Sequence, residues 1–408
     1  MTNKHAAIKI IRKLKSEGFQ ALLAGGCVRD MLMGRAAKDY DVATDARPGQ
    51  VRKLFLRTLE VGAKFGVVIV LMKDKQVEVA TFRAEKDYHD GRHPDKVTFT
   101  GPGEDAKRRD FTINGMFYDP VEEKVIDYVG GQADLKKRII RTIGEPGQRF
   151  AEDYLRMLRA VRFSTQLGFP IGRSTKAAIC SLAVKIKQIS GERISAELEG
   201  ILTHPNRAKG ASLLFETGLA QAIFGHFAKE QADAAVNVLG KLRKRIDFPL
   251  SLAAFFSNCK TEFALENCRS LKLSRNQLRH IKFLLTNRDR LLDEKISLAR
   301  LKLILSEPYF WDLYELQRAI QKTRDDRKAL TPLIKLRRRI KALGDVELRP
   351  PPILNGHDLI GLGAASGPSL GQLSEEMYIA QLEGEIQTPE EAEKWVQNWL
   401  RKHKNSAK

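Results

Sequence analysis

Residues 21–44, ALLAGGCVRDMLMGRAAKDYDVAT, carry the strongest local pattern in the chain. The apolar run 21–24 predicts a short strand, and Gly25 and Gly26 predict a tight turn into a helix over 28–33. Glycines between a strand and a helix let backbone N–H groups approach a phosphate closely. A second strand is predicted over 40–43. The segment therefore predicts a phosphate-binding turn at the edge of a sheet.

Acidic side chains follow this turn. Asp39 and Asp41 are two positions apart on the predicted strand, so we expect both carboxylates on one face. Glu78, inside an apolar strand, is expected beside them on an antiparallel neighbour. Taken alone, these acids would suit a solvated turn and an exposed strand face, but the upstream Gly-Gly-x-x-Arg-Asp favours a site. We predict all three as catalytic and the two aspartates as Mg²⁺ ligands for phosphoryl or nucleotidyl transfer.

Hydrophobic periodicity divides the chain into a mixed front part and a helical rear part. Strands over 66–72 and 76–82, joined by a polar turn, and over 111–118 and 124–128 complete the predicted mixed sheet. Beyond residue 133, apolar residues recur every three or four positions, which predicts helices. The fold class is thus α+β, a mixed-sheet head before an all-α remainder. The predicted domains are a catalytic head (1–131), a helical neck (132–225), a helical body (226–345) and a tail (346–408).

Composition narrows the choice of partner. The 408 residues include 70 Lys and Arg against 50 Asp and Glu, a net charge of +20 that favours a polyanionic partner. No apolar run approaches the roughly 18–20 residues of a membrane span, and the start of the chain does not resemble a signal peptide. The 4 cysteines lack CxxC spacing, which argues against a disulfide scaffold or a zinc knuckle. We expect a cytoplasmic, nucleic-acid-binding protein without a membrane partner.

These motifs resemble the class II tRNA nucleotidyltransferases (CCA-adding enzymes) and the bacterial poly(A) polymerases of the polymerase-beta nucleotidyltransferase superfamily. The resemblance covers most of the chain and implies a nucleotidyltransferase head. Gly25, Gly26 and Arg29 match its nucleotide-binding turn.

A second block, RRDFTINGM at 108–116, is similar to the family's ribose- and phosphate-binding motif. The similarity implies that Arg109 contacts the nucleotide and that Asp110 and Asn114 address its sugar. Gly115 stands where the family usually has alanine.

The third block is RFAEDYLRMLRAVRF at 149–163. As a helix it would place Asp153 and Arg156 on one face and align Arg156, Arg159 and Arg162 as a basic ridge. Composition alone would suit a solvated ion pair. The resemblance instead implies that Asp153 and Arg156 act as a protein template selecting CTP and ATP, and that the ridge reaches the nucleotide.

The polar insertion 85–95, EKDYHDGRHPD, is interpreted as a mobile loop beside the active site. In the family such a loop helps the switch from C to A addition and is shortened in relatives that add only CC. His89 and His93 could mimic a metal pair, but a loop with glycine and proline would not hold them in helical register. Ser195 is a possible N-cap of a following helix, and His357-Asp358 lacks the further residues of an HD phosphohydrolase.

The resemblance implies the reaction. We expect Mg²⁺-dependent attack of the tRNA 3′-hydroxyl on the α-phosphate of CTP or ATP, with release of pyrophosphate and no nucleic-acid template. Basic helices over 275–290 and 335–341 are expected to contact the RNA backbone. Three alternatives stay open: an A-adding tRNA nucleotidyltransferase, a poly(A) polymerase, and a non-catalytic RNA-binding protein. The sequence does not indicate an oligomeric state.

Overall fold

The computed structural model describes residues 1–59, 66–88, 94–324, 326, 328–344 and 346–404, without the side chains of 85–88, 94–97 and 404. The chain divides into two compact units, Met1–Ala232 with Ser270–Leu273, and Asp233–Arg269 with Ser274–Lys408. The finer division into head, neck, body and tail stays a prediction. None of the described helices combines the length and the apolar character needed to cross a membrane.

The strands that the structure describes all lie in the first unit. They are β1 (Ala21–Ala24), β2 (Asp41–Thr44), β3 (Thr58–Leu59), β4 (Val67–Met72), β5 (Lys75–Thr81), β6 (Arg83–Tyr88), β7 (Pro94–Phe99), β8 (Met116–Asp119) and β9 (Lys124–Asp127). Seven of those described form one mixed sheet in the order β3-β4-β5-β2-β1-β8-β9, and β6 and β7 form a separate hairpin. The sequence pattern therefore missed β3 in this sheet.

Helices make up most of the remaining described chain. Those of the first unit are α1 (Asn3–Ser16), α2 (Gly26–Leu32), α3 (Pro48–Leu54), α4 (Pro102–Lys107), α5 (Gly131–Lys137), α6 (Pro146–Glu152), α7 (Leu155–Leu167), α8 (Arg173–Leu182), α9 (Gly191–Leu202), α10 (Arg207–Glu216) and α11 (Leu219–Phe224), followed by α12 (Lys229–Lys241) at the boundary. Those of the second unit are α13 (Phe248–Phe255), α14 (Thr261–Ser270), α15 (Arg275–Asn287), α16 (Leu298–Leu305), α17 (Phe310–Gln321), α18 (Thr331–Ala342), α19 (Gly356–Gly361), α20 (Pro368–Glu383) and α21 (Pro389–Lys404). The α+β fold class is confirmed. The predicted N-cap at Ser195 was wrong, because α9 already begins at Gly191.

The pairing of β2 decides where the acids lie. β2 runs antiparallel to β1 but parallel to β5, with Val42 opposite Val79. The expectation that Glu78 lies on a strand antiparallel to the aspartate strand was wrong. Because α3, β3 and β4 lie between β2 and β5 in the chain, β5 can run in the same direction as β2. Extending the register by one residue places Asp41 beside Glu78.

The two faces of the sheet are buried differently. One face packs against α1 through Ala6, Ile10 and other residues at helical spacing. The opposite face carries Ala24, Ala43 and Phe117 in a smaller apolar cluster. Side chains alternate along a strand, so Asp41 shares the face of Ala43. That second face is the one that carries the candidate site.

Candidate active site

A cavity of about 460 Å³ lies in the first unit, beside the second face of the sheet. Its described lining consists of Gly25, Gly26, Arg29, Asp41, Arg108, Arg109, Asp110, Asn114, Asp153, Leu155, Arg156, Arg159, Phe163 and Arg193. Nine of the ten predicted nucleotide-binding residues are in this set, and Arg162 is the exception. Arginines outnumber aspartates in the lining by six to three. Such a concave, net positive site suits a polyphosphate ligand.

Asp110 connects the floor of the cavity to α7. It is only 8% exposed, and its carboxylate accepts hydrogen bonds from Arg159 Nε and Nη2 at 2.9 and 2.6 Å. Burial alone would raise the pKa of Asp110, but the Arg159 guanidinium and hydrogen bonds hold it below its ordinary value. Asn114 Nδ2 donates to Asp110 at 3.2 Å, and Arg29 Nη1 donates to Asn114 Oδ1 at 2.8 Å. The four side chains form one continuous, preorganised network.

Gly25 brings the backbone close to an arginine. Its φ of +77° is a conformation that favours glycine, and a Cβ there would lie 3.0 Å from Arg109 Nη1. Arg109 is held by Asp105, to which Nη2 donates at 3.0 Å, and its guanidinium lies 5.1 Å from the centre of the Phe117 ring. The Gly25 N–H itself donates to the Met116 carbonyl at 3.2 Å. That amide therefore belongs to the sheet and is not available to a phosphate.

The predicted metal ligands lie at and just before the start of β2. The strand begins at Asp41, so the expectation of both aspartates within the strand was wrong, and Asp39 lies in the preceding segment. Both residues are exposed. Loss of hydration in the concave site, together with the negative charges of Glu78 and Asp39, raises the pKa of Asp41 to about 6, against the opposing effect of Arg109.

This repulsion shows that the three acids share excess negative charge. A divalent cation would relieve it, and Mg²⁺ is commonly held by one or two carboxylates together with substrate phosphates. Asp39 and Asp41 therefore fit as ligands. Among the described residues, however, Asp39, Asp41 and Glu78 do not form a group whose oxygen atoms all lie within 4.8 Å of one another. Glu78 acts on Asp41 through its negative charge.

A different acidic cluster does converge in the second unit. His280 lies with Nε2 3.1 Å from Asp312 and Nδ1 3.5 Å from Asp247, and its ring stacks on Tyr309. The two carboxylates thus face different nitrogens of one imidazole, and Asp247 also caps α13. This arrangement, with the two carboxylates at different edges of one ring, suits a polar contact between helices better than a single metal ion.

The segment between α6 and α7 differs from its prediction. Asp153 has an extended backbone with φ −155° and ψ 104°, and its Oδ1 accepts the Leu155 N–H at 3.0 Å. The prediction of a continuous helix was therefore wrong, because the side chain of Asp153 accepts the backbone N–H two residues ahead and the chain adopts an extended conformation at this position. Asp153 Oδ2 accepts a hydrogen bond from Arg193 Nη2 at 2.7 Å, whereas Arg156 pairs with Glu152. Asp153 and Arg156 both line the cavity.

The three arginines of the predicted basic ridge on α7 lie in different surroundings. Arg156 and Arg159 line the cavity, whereas Arg162 Nε donates to Glu197 at 2.6 Å. Phe163 lies under three guanidinium groups, with ring-centre distances of 5.4 Å to Arg29, 5.4 Å to Arg159 and 4.5 Å to Arg162. Such cation–π contacts fix the arginines before any ligand binds.

Sequence reasoning missed Arg193 and Phe163 as members of the site. Phe163 ends the third sequence block and looked like one more apolar helix position. Arg193 is absent from the predicted site residues, because nothing in its neighbourhood in sequence signals a partnership with Asp153. Only the tertiary contact reveals both roles.

The predicted loop 85–95 is in part a hairpin. Residues 83–88 and 94–99 pair antiparallel as β6 and β7, so these positions are strand rather than loop. His89 and His93 lie outside the described residues.

Two protein families and several known proteins are similar to this chain. Residues 21–141 match the family described as "Poly A polymerase head domain", and residues 168–231 match "Probable RNA and SrmB-binding site of polymerase A". The CCA-adding enzymes of Geobacillus kaustophilus and Bacillus subtilis are 46% and 44% identical over 226 residues, or 55% of this chain and 56% and 57% of theirs. The matched region thus spans little more than half the length of these curated relatives.

A solved structure extends the similarity over the whole chain. The Bacillus stearothermophilus CCA-adding enzyme in complex with CTP superposes with a TM-score of 0.80 at 30% identity, covering 100% of both chains.

Proposed function

Since the chain belongs to the family of the CCA-adding enzymes, we propose that it adds C and A residues from CTP and ATP to the 3′ end of tRNA, without a nucleic-acid template. The observation that carries this proposal is the arginine-lined cavity with Asp41 among its lining residues. It combines a site for a triphosphate with a carboxylate for metal-assisted transfer. The charge of the whole chain, +20, supports an RNA substrate.

Within this proposal each group of residues has a task. Arg29, Arg109 and Arg159 bind and orient the triphosphate, and their guanidiniums are already fixed by Asn114, Asp105 and Asp110. Fixed donors lose little entropy on binding and place the α-phosphate for in-line attack. The Asp110–Asn114 pair is placed to position the sugar.

Asp39 and Asp41 would hold Mg²⁺, the metal implied by the family. When bound, Mg²⁺ activates the attacking hydroxyl and neutralises charge on the phosphates. Glu78 favours cation binding through its charge near Asp41. In the cation-free protein, loss of hydration together with this charge raises the pKa of Asp41, which therefore keeps a proton at higher pH than usual.

Base selection is assigned to Asp153 and Arg156. In the structure, Asp153 pairs with Arg193, and Arg156 pairs with Glu152. A base that pairs with both must compete with those contacts. We expect Asp153→Ala to lower the preference for CTP and ATP over UTP and GTP. Lys176→Ala, which removes an exposed ion pair with Glu216, is the control and should leave the preference unchanged.

The free cysteines support a reducing compartment, and we place the protein in the cytoplasm. All four are unpaired. The head, neck, body and tail divisions at 131, 225 and 345 remain part of the proposal, with RNA contacts assigned to the helical parts.

Three tRNA substrates test the function. The protein is incubated with CTP and ATP and a tRNA ending before CCA, after CC, or with intact CCA, and the 3′ ends are sequenced. The proposal expects extension of the first two and none of the third. Extension of the second tRNA alone would identify an A-adding enzyme. Long A tails on any RNA would identify a poly(A) polymerase, and no extension of any substrate would indicate a non-catalytic RNA-binding protein. Each of these three results would refute the proposal.

A further inference from the structure

Trp311 is an exposed aromatic side chain in the second unit. It lies at the start of α17 and is 60% exposed, and its ring contacts Phe310 at 5.1 Å and Tyr314 at 6.0 Å between ring centres. Exposing a tryptophan to water costs free energy that burial would recover, so an ordered exposed ring is typical of a contact surface. These two contacts hold the ring from the protein side and leave one side open.

A groove of about 620 Å³ continues from this ring to α18. Its described lining is Trp311, Tyr314, Ile334, Arg337, Arg338, Ile340 and Lys341. The groove therefore combines an aromatic floor with three cations. It is large enough to hold a nucleotide.

The basic residues of α18 fall into two sets. Lys335 and Arg339 are engaged within the protein, by Glu294 at 2.7 Å and by the Ile296 carbonyl at 2.6 Å. Arg337, Arg338 and Lys341 are exposed, and among the described residues they have no ion-pair partner. One face of the helix thus uses its charge for folding, and the other presents its charge to the groove.

We propose that this groove binds an unpaired RNA nucleotide, with its base stacked on Trp311 and the flanking phosphates on Arg337, Arg338 and Lys341. The inference rests on the proposed function, since it takes the substrate to be RNA. Stacking on an aromatic ring needs a free base face, which loops and bulges offer and continuous duplexes do not. The three unengaged cations complement phosphates, whereas a purely apolar partner would leave them unpaired.

Binding is measured apart from catalysis. The full chain is titrated with tRNA that lacks CCA, and the affinity and the quenching of tryptophan fluorescence are recorded. Trp311→Ala is expected to weaken binding roughly 5- to 150-fold, the range for loss of one stacked base. Trp311→Phe keeps a ring, so it should retain most of the affinity and lose most of the quenching. An unpaired RNA 8-mer should compete better than a duplex of equal length.

A matched pair of variants tests the two faces of α18. Arg337→Gln with Arg338→Gln should flatten the dependence of log affinity on log salt by about 0.7 for each phosphate that the protein no longer neutralises. Lys335→Gln with Arg339→Gln should leave the slope unchanged. Unchanged affinity and quenching in the Trp311 variants would overturn the proposal, as would equal slopes for the two double variants or preferential binding of the wild type to phosphatidylserine vesicles.

Nucleotide addition by the wild type is followed on the same tRNA. Quenching that depends on Trp311 without any addition would uphold the groove and refute the proposed function. Nucleotide addition together with tRNA binding that does not depend on Trp311 would uphold the proposed function and refute the groove.

Discussion

Replacing Asp110 by asparagine tests whether the arginine network holds the cavity together. The change preserves shape and leaves one oxygen for the Phe111 N–H, which Asp110 Oδ1 accepts at 2.8 Å. It removes the anion that faces Arg159. Breaking a buried ion pair costs about 3–5 kcal/mol. Because the Arg159 side chain is 34% exposed and lies 3.9 Å from Glu197, it keeps some hydration and charge compensation. We therefore expect a loss of about 2–3 kcal/mol.

For a unit of this size the loss corresponds to a fall in melting temperature of roughly 4–12 °C. Thermal unfolding measures it, and hydrogen exchange in peptides from 108–116 and 155–163 assigns the transition to the first unit, because two units need not unfold together. Affinity for CTP should fall in parallel, since Arg159 is no longer fixed.

The pH dependence has a definite sign. The pKa of Asp110 is lowered in the folded protein, so its stabilising contribution is fully present above the unfolded pKa of about 4 and is lost as the pH falls through the folded pKa. The stability difference between wild type and Asp110→Asn should thus be largest near neutral pH and shrink below about pH 4.

Asp119→Asn is the matched control. Asp119 is also buried, pairs with Lys15 and has a lowered pKa, but it does not belong to the described lining of the cavity. It should lose stability and keep its affinity for CTP. A change in stability below about 0.5 kcal/mol in Asp110→Asn, or equal loss of CTP affinity in both variants, would refute the reasoning.

Glycine substitutions give further tests. Gly25→Ala and Gly18→Ala should each lower the stability by about 1–3 kcal/mol, because each places alanine at a strained positive φ. Only Gly25→Ala should weaken CTP binding, because its Cβ would meet Arg109, whereas nothing lies within 4 Å of a Cβ at Gly18. Thermal unfolding and CTP titration compare the two variants, and equal CTP affinities would contradict the role of the close approach. Gly115→Ala introduces the residue usual in the family, yet its Cβ would lie 2.7 Å from Val129 Cγ2 and 2.9 Å from Ile143 Cδ1. We expect a loss of about 1–3 kcal/mol from overpacking, relieved only in part when Val129→Ala is added, because the contact with Ile143 stays. A fully stable single variant in urea unfolding would show that the site relaxes freely.

Much of the head was predictable from local pattern. The strand, the glycine turn and the helix over 21–33 follow from an apolar run and two glycines, and the structure has them almost where the pattern places them. The polar turn after Met72 likewise gives a hairpin, with Lys73 at φ +56°. These features depend on neighbours in sequence.

The features that the sequence did not predict depend on long-range or competing contacts. The hydrophobic periodicity favours one helix through Asp153, but it gives no sign that this carboxylate accepts the Leu155 N–H, which ends one helix before the next begins. The parallel pairing of β2 with β5 is set by the connection between them, which alternation of apolar residues does not reveal. Arg193 reaches Asp153 across 40 positions of the chain, so no local pattern could assign it to the cavity.

The most direct test of the central claim is single-turnover transfer of CMP from CTP to tRNA lacking CCA, in wild type and Asp41→Ala, with tRNA affinity measured alongside. If the carboxylates at the start of β2 hold the metal for transfer, the variant loses about 1,000-fold or more in rate while its tRNA affinity stays within about twofold. Asp39→Ala should behave in the same way. Transfer by Asp41→Ala within tenfold of wild type would contradict the account.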